Sequence, residues 1–282
     1  MKKNPLLSLS GAVLVTSISV LPLLAELPSM TEKESLGYFA ILKTKNYQFG
    51  MTSQGKASIH MVGKAGDILP QKQTNISVDF FVEEVWPSGK VSPKVFLPET
   101  LESSQAATDK PKDLVFRGKT KDGAAFEAFL TEDHGAILLG GRLLASDIPS
   151  KNPQRFVVRV RFPNAYPDVK NLSDKKVAKI FEQKISKDRL VLITADGKRT
   201  KLSTADPIDA GSNEINGIGI TAAQLELSPY VDKKIELKAS ENSKMIISNT
   251  IPGPLHNGFS IMWSADAAKD PDGKARLRID IK

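Results

Sequence analysis

The sequence predicts a mainly all-β protein built as two tandem, related β-sandwich-like domains, each opening with a short helix. Three observations lead there. Short runs with alternating apolar and polar residues recur along the chain, Gly and Pro punctuate them at close intervals, and few stretches have a helical period. In addition, a segment near the start of the chain recurs in its second half, which is the mark of an internal repeat.

Residues 1–25 read as a cleavable signal peptide. Lys2 and Lys3 make a basic start, residues 6–24 are uncharged and mostly apolar, and Pro22 precedes the small Ala25 at a suitable cut position. The alternative is an uncleaved N-terminal anchor, since an uncharged stretch of this length approaches a membrane span. Ser8, Ser10, Thr16, Ser17 and Ser19 lower its hydrophobicity and favour cleavage. The chain is thus expected to be periplasmic or secreted, in a bacterial envelope setting, with no stable membrane span after cleavage.

The two domains are placed at residues 26–165 and 166–282. Shifting the chain by 142 residues aligns 31–56 with 173–198 without gaps, so that Lys33, Phe39, Lys45, Thr52, Gly55 and Lys56 recur as Lys175, Phe181, Lys187, Thr194, Gly197 and Lys198. Each copy is expected to open with a helix. Thr31 and Glu34 have the spacing of a capping box, while Ser173 and Asp174 supply a cap and an acid for a helix that places Val177, Ile180, Phe181 and Ile185 on one face. That helix is basic on its other face, and packing against its own sheet is preferred to binding a membrane surface.

A hairpin follows in each copy. Tyr47, Phe49 and Met51 alternate with polar residues before Ser53-Gln54-Gly55-Lys56, and Leu190 to Ile193 lead into Ala195-Asp196-Gly197-Lys198, where glycine accepts the positive φ of a tight turn. Further strands are expected at 76–85, 91–97, 113–117, 125–130, 136–143 and 156–162, with 99–112 a long surface loop. In 156–162, Phe156, Val158, Val160 and Phe162 point one way and Arg159 and Arg161 the other, as in a half-buried strand. Residues 275–281 repeat that alternation and read as the equivalent last strand. The break at 163–168, with two prolines, marks the boundary.

Leu225-Glu226-Leu227-Ser228-Pro229-Tyr230-Val231, running on to Leu237, resembles the approach to a strand in jelly-roll carbohydrate-binding modules, with Asp232 where a glycine is usual. It covers about a dozen residues and does not establish membership.

Composition excludes several chemistries. The chain has no cysteine, hence no disulfide, no thiolate zinc site and no thiol nucleophile. Without Lys2 and Lys3, its 39 basic residues fall to 37 against 32 acidic ones, a modest +5 spread among acids, so no nucleic-acid partner is expected. His60, His134 and His256 lack metal-ligand spacing, and Gly-x-Ser-x-Gly and phosphate-loop motifs are absent. Gly217-Ile218-Gly219 reads as a glycine-spaced strand. Asp270-Pro271-Asp272-Gly273 reads as a hairpin turn, because a calcium loop in that register would need ligands at Ala268 and Ile279. No cofactor and no metal are expected.

The pairs Glu83-Glu84 and Glu132-Asp133 are the densest acids, yet neighbours on a strand face opposite sides and make no ready acid/base dyad. Trp86 and Tyr230, beside prolines equivalent in the 142-residue register, are the candidate ligand-binding residues, offering flat rings for sugar stacking; with aromatics only 6% of the chain, core packing is the alternative and the preferred reading for both rings. Trp263, alternating with Phe259 and Ile261, is expected in the core. The function expected is a non-enzymatic binding or structural envelope module whose partner is a polysaccharide or an envelope protein. The alternative is a polysaccharide-active hydrolase with acids from separate strands.

Overall fold

The computed structural model describes residues 26–144, 150–208, 219–249 and 253–282; the expected signal peptide at 1–25 lies outside them, as do Gly217 and Ile218. In chain order the strands are β1 (Tyr38–Lys43), β2 (Tyr47–Thr52), β3 (Ala57–Met61), β4 (Ile76–Val85), β5 (Val91–Lys94), β6 (Leu114–Lys119), β7 (Ala125–Asp133) and β8 (Ala136–Leu143). They continue as β9 (Gln154–Phe162), β10 (Arg189–Thr194), β11 (Arg199–Leu202), β12 (Ile220–Glu226), β13 (Lys234–Ala239), β14 (Ser243–Asn249), β15 (Phe259–Ala265) and β16 (Leu277–Ile281). The helices are α1 (Gln71–Thr74) and α2 (Lys175–Lys187).

These strands form one curled antiparallel sheet whose two leaves face each other across the core. The first leaf runs β1-β2-β3-β4-β9-β15-β14, with β5 added on β4; the second runs β6-β7-β8-β16-β13-β12-β10-β11. The leaves join where β12 meets β14 at Ile220 and Met245. Alternation of side chains along each strand puts one apolar row inward, and the rows meet ring to ring: Phe80 and Phe116 at 5.3 Å between centroids, Phe126 and Phe156 at 5.6 Å, Phe162 and Tyr230 at 6.4 Å. Phe156 lies so close over Gly141 that a Cβ there would sit 2.3 Å from its ring. Trp263 is fully buried between Met245 and Val158.

Strands on the two sides of residue 165 occupy opposite ends of each leaf, and they are hydrogen-bonded to one another. β9 pairs with β4 on one flank and β15 on the other, while β16 sits between β13 and β8. Both β9 and β16, the last strands of the two stretches, therefore lie on the line along which the stretches meet, in opposite leaves. The sheet is continuous across that line.

The 142-residue register holds for part of its length. β2 and β10 coincide in it, and their turns are alike: the N–H groups of Thr52 and Thr194 donate to the carbonyls of Lys56 and Lys198, and Gly55 and Gly197 donate back to Thr52 and Thr194, with φ of 75° and 80°. The same pattern joins Trp86 to Lys90 and Thr120 to Ala124, with Gly89 and Gly123 at φ of 79° and 85°. Thr52, Gly55 and Lys56 thus recur within a three-residue hairpin loop that needs a left-handed glycine, a local demand that the fold meets at least four times. After the turn the two copies diverge, since β3 is followed by β4 at its side, whereas β12 pairs with β10.

Upstream of the turn the register fails. Residues 33–45 hold a turn and β1, and residues 175–187 hold α2, so the helix expected to open the first stretch is corrected to turn and strand. Gly37, at φ of 81°, ends the turn, and Ala40-Ile41-Leu42-Lys43 then pairs with β2, with Phe39 at a bulge. α2 is capped as expected, with Asp174 accepting from the N–H groups of Lys176 and Val177. Ile185 is buried and Phe181 meets the ring of Tyr166 edge-on at 6.3 Å, while Val177 and Ile180 are exposed. Asp188 fixes that end: its buried carboxylate accepts from Tyr166 Oη, the Ser228 N–H and Ser228 Oγ at 2.7–2.8 Å.

The segment 99–112 is more than a surface loop. Leu101 is fully buried, Glu102 pairs with Arg117 of β6, and Thr108 pairs with the edge of β1, so the segment covers two sheet edges that would otherwise be open.

A candidate functional site at Trp86

Trp86 and Tyr230 meet opposite fates. Tyr230 is 1% exposed, packed edge-on against Phe162, and burial pushes its hydroxyl pKa far up. A ring with no free face cannot stack on a ligand, so the binding role expected for Tyr230 is corrected to core packing. Trp86 is 46% exposed in the β4–β5 turn, where Trp86 N–H donates to Lys90 and Gly89 donates to Trp86.

Beside Trp86 opens a cavity of about 450 Å³ whose other walls include Glu84, Lys94, Asp122, Asn152 and Gln154. Glu84 sits near the end of β4, on the face opposite Glu83. Lys94 comes from β5, which pairs beside it, and Asp122 comes from the β6–β7 turn of the other leaf. Lys94 Nζ lies 3.1 Å from Glu84 and 2.8 Å from Asp122, so it clasps the two leaves together. Asn152 Nδ2 donates to Glu84 Oε1 at 2.6 Å, and Thr120 Oγ1 donates to Asp122.

These contacts set the charges of the pocket. The hydrogen bonds from Asn152 and then Lys94 hold Glu84 below the usual carboxylate range; those from Lys94 and then Thr120 do the same for Asp122; and the bonds to Asp122 and Glu84 raise Lys94. The sign follows. Depressed carboxylates contribute stability above their unfolded pKa and lose it as pH falls through the folded value, whereas raised Lys94 contributes below its unfolded pKa and loses it as pH rises through the folded one. The clasp therefore holds from about pH 5 to about pH 10. Lys94→Met is expected to lower the melting temperature by a constant amount between about pH 5 and 9, and the deficit should shrink as pH falls through the lowered folded-state values of Glu84 and Asp122; a deficit unchanged into strong acid would mean that Lys94 acts by packing alone.

The other acids are engaged elsewhere. Glu83 binds Arg155 at 2.6 Å on the outer face, so Glu83 and Glu84 are not a dyad. Glu132 accepts from the Gly135 N–H and Asp133 pairs with Arg278. Glu127 lies buried between Arg117 and Arg142; burial raises its pKa, but the two guanidinium hydrogen bonds outweigh that and hold it low. Asp270 accepts from the N–H groups of Lys274 and Ala275, closing the turn before β16. His134 is exposed, and His256 Nδ1 meets the Thr204 carbonyl at 3.0 Å. Among the described residues no group of three or more His, Asp or Glu side chains is placed to hold a metal ion, and no helix is long and apolar enough to cross a membrane.

Sequence reasoning named Trp86 and Glu84 but not Lys94, Asp122 and Asn152. They come from three separate segments, and the sole signal was the Thr-x-Asp-Gly spacing of the turn that presents Asp122.

No family model matches the chain, and no curated protein sequence matches it. In fold it is similar to the α-N-acetylgalactosaminidase NagBb from Bifidobacterium bifidum. The complex with GalNAc superposes with a TM-score of 0.51 at 12% identity, and the complex with Gal-NHAc-DNJ with 0.52 at 13%. Each likeness covers 86% of this chain but only 36% of the NagBb chain. At such identities the likeness is one of fold.

Proposed function

We propose that this is an exported carbohydrate-binding protein, periplasmic or secreted, that holds a polysaccharide on Trp86. The observation that supports the reading is the exposed indole of Trp86 at the rim of a polar pocket. A flat apolar face takes the C–H face of a sugar ring while Glu84, Asn152 and Gln154 offer acceptors and donors to its hydroxyls. Two complexes of a fold neighbour hold GalNAc and Gal-NHAc-DNJ, which adds weak support for a sugar ligand. Export rests on residues 1–25, with their basic start, uncharged stretch and Ala25.

Binding is preferred to hydrolysis because of protonation. A glycosidase needs one carboxyl held neutral as a proton donor, and Glu84 and Asp122 are both held ionised with Lys94 between them.

The test uses residues 26–282 against a panel of soluble polysaccharides and cell-wall fragments, with Trp86→Ala alongside and release of reducing ends assayed. Trp86→Ala should weaken retention about 30-fold or more, as for an aromatic anchor worth about 2 kcal/mol, with little change in melting temperature. Equal retention by the variant would remove Trp86 from the site. Release of sugar ends would favour the hydrolase, and silence across the panel would favour a protein partner in the envelope.

A further inference from the structure

A second polar site lies on the outer face of the first leaf, at the far end of β4 from Trp86. On that face β4 and β9 form a ladder in which each arginine should meet an acid. Arg155 stands opposite Glu83 and binds it at 2.6 Å; Arg159 stands opposite Asp79 and binds it at 2.8 Å. Arg161, next on the same face, stands opposite Ser77. On its other side is Ser260, and the row continues outward to Ser58 on β3 and Ser248 on β14. A single guanidinium thus lies in a row of four hydroxyls, with Ser260 only 4% exposed.

Three buried polar atoms in and beside this row are unsatisfied. Arg161 Nε is buried without a hydrogen-bond partner, and among the described residues Arg161 has no ion pair. Asn75 Oδ1, just before the start of β4 and two residues before Ser77, is likewise buried and unpaired, and so is Nδ1 of His60, two residues after Ser58 on β3. His60 Nε2 contacts Ser58 Oγ at 2.9 Å, and burial lowers the pKa of its ring. Three of the five unpaired buried side-chain atoms of the described residues therefore lie on β3, on β9 and just before β4, which runs between them. Buried polar atoms are nearly always satisfied, and a guanidinium prefers an oxyanion, which accepts two parallel hydrogen bonds from it.

We propose that Arg161, flanked by Ser77 and Ser260, binds an oxyanion carried by a ligand, in the place where the ladder elsewhere has a carboxylate of its own. The guanidinium supplies the charge, the serine hydroxyls donate to the remaining oxygens, and Asn75 Oδ1 accepts from a neighbouring hydroxyl of the ligand. The chemistry is shared by a sulfate ester and by the carboxylate of an acidic sugar.

The test is a thermal and calorimetric titration of residues 26–282 with sodium sulfate, sodium glucuronate and sodium chloride at equal ionic strength, on the wild type, Arg161→Gln and Ser77→Asp. Sulfate or glucuronate should raise the wild-type melting temperature by about 3 °C or more beyond the shift that the same salt gives Arg161→Gln, which removes the site-independent stabilisation by sulfate, and the larger excess names the source of the oxyanion. Ser77→Asp should abolish the excess too while raising the melting temperature without ligand, because the new carboxylate occupies the guanidinium; this variant keeps the test decisive if Arg161→Gln folds poorly. A response equal in all three proteins, or no response of the wild type beyond chloride, would overturn the proposal.

Discussion

Expressed separately, residues 26–165 and 166–282 should each be insoluble or lack a cooperative melting transition, and co-expression should restore a one-to-one complex. Cutting at that point leaves the β15-facing edge of β9 and the β16-facing edge of β8 unpaired, two ladders removed in one step. It also opens the core at Phe162, whose ring stacks on Phe259 at 4.7 Å and meets Tyr230 at 6.4 Å. Long apolar edges without a partner template aggregation. Size-exclusion chromatography and amide dispersion of each half decide the matter. A monomeric, cooperatively melting 26–165 would show that the two stretches are independent domains that happen to share a ladder.

The second large effect is expected at Trp263. Trp263→Ala should cost about 3–5 kcal/mol, a fall in melting temperature of about 10 °C, because it removes the largest fully buried side chain of the first leaf. Trp263→Phe should cost much less. The indole Nε1 is buried without an acceptor, and the phenyl ring removes that unsatisfied donor even as it loses some volume. Chemical denaturation of the two variants measures the contrast; equal costs would mean that Nε1 finds a partner in solution.

The two experiments probe the same property, continuity of one core through both leaves, from opposite sides. Trp86→Ala, by contrast, should leave stability almost untouched, since its ring is exposed on a turn whose hydrogen bonds are made by backbone. A variant that loses ligand and keeps its melting temperature separates site from scaffold.

Local pattern determined a good deal of this protein. Alternation placed β4, β8 and β9 close to their observed bounds, because a strand that is buried on one face writes its period into the sequence. Asp174 announced the start of α2, and Gly55 and Gly197 announced their hairpins, since caps and left-handed turns depend on a few neighbouring residues. The adjacency of Trp86 to an exposed turn was legible for the same reason.

Only the tertiary structure decided the rest. Whether β9 closes one domain or joins β4 to β15 depends on pairings between residues about a hundred apart, and an alternating strand looks alike at an edge and at a seam. Thr31-x-x-Glu34 is a capping box by spacing, yet the run at Tyr38–Lys43 found a partner in β2, and tertiary pairing overrode the local signal. Tyr230 and Trp86 both neighbour a proline at a strand end; the opposite leaf covers one ring and leaves the other free. The clasp of Glu84, Lys94 and Asp122 and the row centred on Arg161 likewise exist only because distant strands were brought side by side, and electrostatic partnership is a property of distance in space that a linear sequence does not contain.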